Sequence, residues 1–214
     1  ESADAFFESL THRGVGLQDL SLKKINAFLT ESKMSVKAVK KNMTSLLGSL
    51  EIMEKGKIKN AGVLMFARNV GRFIPHAELI CGAYKGTNKT YIYDRKDVRD
   101  DLLTQLNEAM AFIQKHINVR SEIREINRHD IYEIPLDALR EAEVNAIIHR
   151  DYSMKGTSIY VSVYDDRVEI ENPGGLPAGL ALEDFGKTSK RRNLIIADLF
   201  HRMSKVERIG SGIK

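Results

Sequence analysis

The stretch from Leu139 to Ser153, LREAEVNAIIHRDYS, constrains the fold of this chain more than any other. Glu141, Asn145 and His149 fall at i, i+4 and i+8, so on a helix they drift by only about 80° and share one face. Leu139, Ala142, Ala146 and Ile147 supply an apolar face. A helix with a carboxylate, an amide and an imidazole in one stripe can pack on a sheet while presenting those groups to a cleft. The plainer reading is a partly solvated helix face. The residues that follow provide the sheet. SIYVSVY from Ser158 to Tyr164 reads as a strand, Asp165-Asp166 as a turn, and VEIEN as a second strand running into Pro173-Gly174-Gly175-Leu176.

Upstream, the first sixteen residues have weak periodicity and read as a linker, and the chain, opening on Glu1, is expected to be a piece of a longer protein. From Leu20 a helical pattern begins, with Ser21 as cap and Leu22, Ile25, Phe28 and Leu29 as its stripe. A second helix is expected through Val36, Val39, Met43, Leu46, Leu47 and Leu50. After Gly56, KIKNAGVLMFA reads as a basic turn and a strand. Two helices followed by a basic turn and a strand form a winged-helix-like pattern that could touch DNA, although such pairs are more often packing units. Strands are expected at AGVLMFA, AELICGAY and TYIYD, and an amphipathic helix from Val98 to Ile117. Ser121 to Pro135 alternates and looks extended, and Pro135 opens the helix described above. The parts are thus a helical unit over 1–58, a strand-and-helix segment over 59–134 and a third unit over 135–214.

Composition excludes several classes. At 214 residues, 43% hydrophobic and 29% charged, the chain reads as soluble and globular. Its longest apolar run, AGVLMFA, is far too short to span a membrane, and nothing resembles a signal peptide, so a cytoplasmic location is the default. The single cysteine, Cys81, lies in the apolar run LICGA and reads as a buried thiol. The formal charge is +4, but between Lys187 and Arg208 seven cations face two carboxylates, a net of +5. A basic cluster beside glycine loops suits a polyphosphate or a nucleic-acid backbone, or is simply a solvated helix.

Two more motifs lie there, SKRRN at Ser189 to Asn193 and ERIGSGI at Glu207 to Ile213. In this order the pieces resemble the nucleotide-binding half of the GHKL superfamily, which includes gyrase, histidine kinases and MutL. From about Asp19 onward the chain more closely resembles the ATPase-like domain of RecG-related transcriptional regulators, usually found behind a Schlafen AlbA-type DNA-binding domain. The fold implied is α+β, a helical N-terminal unit followed by a GHKL-like (Bergerat-type) α/β sandwich.

The resemblance also implies roles. Glu141 matches the glutamate that orients or deprotonates the attacking water, and Asn145, four residues on, matches the asparagine that coordinates Mg2+. One amide oxygen can suffice there, because Mg2+ usually keeps several waters and shares the nucleotide phosphates. Where the family ends a strand with an aspartate that binds the adenine amino group, this chain has Asn172, or Glu171 if the alignment shifts by one, followed by Gly174 and Gly175. Asn offers both donor and acceptor where Asp only accepts. Arg191, Arg192 and Asn193 fall on the lid-like segment that contacts phosphate, and Gly210-Ser211-Gly212 resembles the phosphate-cradling loop. His149, Arg150 and Asp151 border the pocket or serve as cap and ion-pair residues.

Two decoys fall away. His149-Arg150-Asp151 and Asp184-Phe185-Gly186 echo protein-kinase triplets, but Gly156 stands where the kinase loop needs Asn. Gly82 to Thr90, GAYKGTNKT, lacks the glycine before Lys-Thr that a P-loop requires, so no helicase motor is supported. The function expected is ATP and Mg2+ binding, with or without slow hydrolysis, by the regulatory region of a DNA-binding transcriptional regulator, with DNA bound through the full-length protein and a homodimer as a further expectation. The competing class is a degenerate module that binds no nucleotide and serves as a dimerisation or DNA-contact scaffold.

Overall fold

The computed structural model describes residues 6–117, 119–124, 127–174 and 192–203, with backbone alone over 119–132. After two short 3-10 turns, Phe7–Ser9 and Leu17–Asp19, α1 spans Leu22–Glu31. Ser21 caps it by accepting from the Lys24 amide at 3.3 Å, and Ile25, Phe28 and Leu29 are buried as their spacing requires. α2 covers only Met43–Ser49, shorter than expected. Two asparagines take the preceding backbone away from helix. Asn26 accepts from the Ala38 amide at 2.8 Å and donates to its carbonyl at 3.1 Å, while Asn42 accepts from Val39 N and donates to Lys37 O, each at 2.9 Å.

A minimal hairpin follows, β1 (Met53–Glu54) with β2 (Lys57–Ile58), then α3 (Asn60–Phe66) and α4 (Val70–Phe73). The run AGVLMFA, expected as a strand, is therefore helical. All seven residues of α3 are buried, so the segment has no polar side from which a period could be read. Gly62 lets the hairpin lie directly on it, because a Cβ there would meet Ile58 and Ile52 at 3.0–3.2 Å.

β3 (Leu79–Tyr84) and β4 (Ile92–Val98) form an antiparallel pair, and α5 (Leu102–His116) starts after Asp101, which accepts from the Thr104 amide at 2.9 Å. β5 (Val119–Arg124) and β6 (Asn127–Tyr132) make a separate hairpin. α6 spans Leu136–His149, then come β7 (Ile159–Val163), β8 (Val168–Glu171) and α7 (Leu194–Arg202). β7 joins β3 in parallel and β8 joins β7 antiparallel, giving a mixed sheet of order β4-β3-β7-β8.

Register places Leu79, Cys81 and Ala83 beside Ile159, Val161 and Val163, all buried on the face that α5 and α6 cover. Burial pushes the Cys81 thiol up to about 12, as suits a structural cysteine. The molecule is a mixed α+β sandwich, with one apolar core running unbroken from α1 through α3, α5 and α6 to α7.

Candidate functional site

α6 positions the site. Pro135 precedes it, Asp137 lies in its first turn and His149 in its last, the charge order that a helix dipole favours. Leu139, Glu143, Val144, Ala146, Ile147 and Ile148 are buried, whereas Glu141 is exposed and Asn145 and His149 are half-buried along the other side.

The C-terminal end of α6 is a junction of four segments. Arg150 is fully buried and donates to the carbonyls of Glu78 and Thr157 at 2.8 and 2.9 Å, and to that of His76. Its guanidinium also stacks over Tyr152 at 5.2 Å, so it ties α6 to the starts of β3 and β7. The next residue, Asp151, donates its amide to Pro173 O at 3.2 Å, which brings the turn after β8 alongside. Arg192 donates to His149 O at 3.2 Å, with its Nε 4.0 Å from the Asp151 carboxylate. Asn193 is buried and spends its amide on the carbonyls of Ile148 and Arg150, at 3.0 and 2.8 Å. These bonds satisfy carbonyls that the end of α6 would otherwise orphan. Partial burial works against charge on Asp151, but the Ser153 hydroxyl and amide, with Arg192 and Arg150 nearby, more than offset it and hold the carboxyl below its ordinary value.

Strand alternation separates the two candidates at the end of β8. Val168 and Ile170 pair with Val163 and Val161 on the helix-covered face, which puts Asn172 on the side of α6. Glu171 points to the opposite face, where its carboxylate meets Lys89 at 2.7 Å. Asn172 is exposed. Gly174 has φ +111° and its missing Cβ would lie 2.8 Å from an Arg192 nitrogen and 3.0 Å from the Asp151 Cβ, so glycine is needed for the fit of the turn against those side chains. His149, Asp151, Gly174, Arg192 and Asn193 therefore meet at one end of the sandwich, with Asn145 one helical turn before His149. Gly175, Arg191, Gly210, Ser211 and Gly212 lie outside the described residues.

Among the described residues no group of three or more His, Cys, Asp or Glu side chains could hold a metal ion by itself. A cation that keeps its waters and shares ligand phosphates needs no such cluster, since one protein oxygen can suffice for it. Two features escape the sequence pattern. Glu143 is 0% exposed and, among the described residues, neither of its oxygens has a hydrogen-bond partner. Its place two residues from Glu141, with Leu139 and Ile147 four residues to either side, marks it as lying on the apolar face. Glu8, 2% exposed, accepts from the amides of Ile195 and Ile196 at 2.9 Å each, closing the start of α7 from 187 residues away, which no local pattern could reveal.

Residues 156–214 match a family model described as "Putative ATP-dependent DNA helicase recG C-terminal". The match takes in β7, β8 and α7 and begins beyond α6. That region is thus similar to a RecG-related, ATPase-like domain, a class associated with nucleotide binding in general. No curated protein matches the chain significantly. Among solved structures, the DIP2311 protein from Corynebacterium diphtheriae shares the fold, with a TM-score of 0.76 at 20% identity over 97% of this chain. This chain spans only 41% of that one. No helix among the described residues is long and apolar enough to cross a membrane.

Proposed function

We propose that the C-terminal end of α6 is the floor of a Mg-ATP site in the regulatory region of a cytoplasmic, DNA-binding transcriptional regulator. The observation that carries this reading is the convergence of His149 and Asp151 with the Pro173-Gly174 turn and Arg192, one helical turn beyond Asn145, in a chain whose residues 156–214 match an ATPase-like family. In the proposed arrangement Asn145 gives its oxygen to the cation, and Asn172 faces the base. Arg191 and Arg192, with the Gly210-Ser211-Gly212 loop, meet the phosphates. Asn193 holds the lid-bearing segment against α6 rather than touching ligand, because both of its described bonds go to backbone carbonyls. The role proposed for Glu141, exposed on the same helix, is to orient water for slow hydrolysis.

Titration calorimetry with Mg-ATP tests the reading. Micromolar to millimolar affinity is expected, roughly −4 to −8 kcal/mol, dependent on Mg2+ and weakened by Asn145→Ala. No heat and no thermal shift at several millimolar Mg-ATP would overturn it and favour the scaffold reading. One observation favours that second reading: Gly174 is already required by packing against Arg192 and Asp151, so its presence needs no ligand.

A further inference from the structure

The N-terminal helices carry a basic surface that the nucleotide site does not use. Residues 6–75 hold twelve Lys and Arg against five carboxylates, a net of +7 in a chain whose total is +4. Several of these cations are committed elsewhere. Lys24 pairs with Asp100 and Asp101 at 2.5 and 3.0 Å, Arg68 donates to the Gln18 and Leu20 carbonyls, and Arg72 lies over Phe73. Lys37, Lys40, Lys41, Lys55 and Lys57 are all exposed, and none forms an ion pair among the described residues.

These five fall in two clusters, one before α2 and one after it. The first is built on a fixed backbone, because Asn26 and Asn42 pin Lys37, Ala38 and Val39 through four hydrogen bonds while the lysine side chains stay in water. The second is the β1–β2 hairpin, which turns through Lys55 at φ 47° and Gly56 at φ 76° and also exposes Glu51 and Glu54, the latter opposite Lys57, so the net positive charge of the face lies on the first cluster. Left-handed backbone at Lys55 is a conformation that Gly or Asn would adopt with less strain, yet a lysine occupies it. Between the clusters, α2 exposes Thr44, Ser45, Gly48 and Ser49, all small, so another surface can approach its backbone closely. An α-helix with its side chains is about 10–12 Å across, which the roughly 12 Å width of a DNA major groove admits.

We propose that this face binds the phosphate backbone of duplex DNA, with α2 toward the groove and the two lysine clusters on the flanking phosphates. Residues 33–59 contain no aromatic side chain, so the face lacks the stacking platform that single strands use. It also lacks the aromatic anchors of a membrane-surface helix, with only Val36 and Val39 as exposed large apolar residues. The inference deepens the DNA-regulator reading but involves no nucleotide, so it stands or falls apart from the Mg-ATP site.

Fluorescence anisotropy with the whole 214-residue chain and a labelled mixed-sequence duplex of about 20 base pairs, without nucleotide and from about 50 to 200 mM KCl, tests it. Five phosphate contacts predict a log–log salt slope of about −4.5. Lys40→Gln with Lys41→Gln, or Lys55→Gln with Lys57→Gln, is expected to reduce that slope by about 2 and to weaken binding about tenfold or more, while Lys85→Gln with Lys155→Gln changes neither. All six substituted positions are exposed, and an unchanged Mg-ATP heat in the same variants would keep the two sites distinct. Four results would overturn the proposal: no duplex binding at about 50 mM salt, an equal loss in the control pair, binding of single strands as tight as duplex, or lysine-dependent binding to anionic vesicles without binding to duplex.

Discussion

Glu8 and Glu143 are carboxylates buried to almost the same depth, 2% and 0% exposed, but in different surroundings. Glu8 sits at the N-terminal end of α7, where burial raises its carboxyl and the amides of Ile196, Ile195 and Leu194 pull it back, leaving it only raised from its ordinary value. Glu143 lies between α6 and the sheet, near the neutral groups of Cys81 and Tyr152. Burial is the one cause acting on it, and it pushes the carboxyl up to about 8. Depth alone therefore does not decide how a buried acid behaves; the donors turned toward it do. The same contrast separates a tether from a cost, since one carboxylate joins the first 3-10 turn to α7 and the other has no bond to offset its burial among the described residues.

The largest effect expected from this contrast is in the pH dependence of stability. A folded-state value of about 8 against an ordinary 4.5 means that the folded chain keeps a proton which the unfolded chain has released. Stability must then fall as pH rises from about 5 to 8 and level off above, by up to roughly 1.4 kcal/mol per pH unit. Glu143→Met keeps the length of the side chain without the acid. It is expected to remove that slope and to raise stability at pH 8 by roughly 3 kcal/mol. Urea denaturation of parent and variant at about pH 5.5 and pH 8 measures the difference directly. Parallel losses in the two proteins would show that Glu143 has a partner after all, and the contrast with Glu8 would be gone.

The second effect is smaller and opposite in sign. Glu8→Ala leaves the amides of Ile195 and Ile196 without acceptors in a buried place, at a cost of about 2 kcal/mol. Glu8→Gln keeps one acceptor oxygen and is expected to lose about half as much. Hydrogen exchange at Ile195 and Ile196 should accelerate in both variants by more than elsewhere in α7. Uniform acceleration along the helix would mean that Glu8 acts on global stability rather than as a local cap.

The sequence made the polar stripe of α6 legible because a period of 3.6 needs only local spacing, and the β7–β8 pair because alternation and the Asp165-Asp166 turn are local too. It did not make Glu143 legible as a core residue, since a carboxylate on the apolar side of a helix runs against pattern. α3 is illegible as a helix for the converse reason: a segment buried on every side has no period. Arg150 was visible as a neighbour of the site, but its three carbonyl partners come from residues 76, 78 and 157, which only the packed fold brings together. Glu8 depended on a partner 187 residues away.

The smallest effect on stability, and the sharpest on function, is expected two residues from Glu143. Glu141 occupies the exposed side of the same helix, so Glu141→Gln removes a solvated charge and should change stability by no more than about 0.5 kcal/mol. If Glu141 orients the attacking water, as the proposed Mg-ATP site requires, the same substitution should lower hydrolysis by about 10²-fold or more while binding persists. Single-turnover hydrolysis beside calorimetric affinity separates the two quantities. Unchanged turnover would assign the chemistry to another base, and lost binding would make Glu141 part of the seat for the nucleotide. The result expected, full binding with little turnover and an unaltered melting transition, would place the chain's costly acid and its chemically useful one on opposite faces of a single helix.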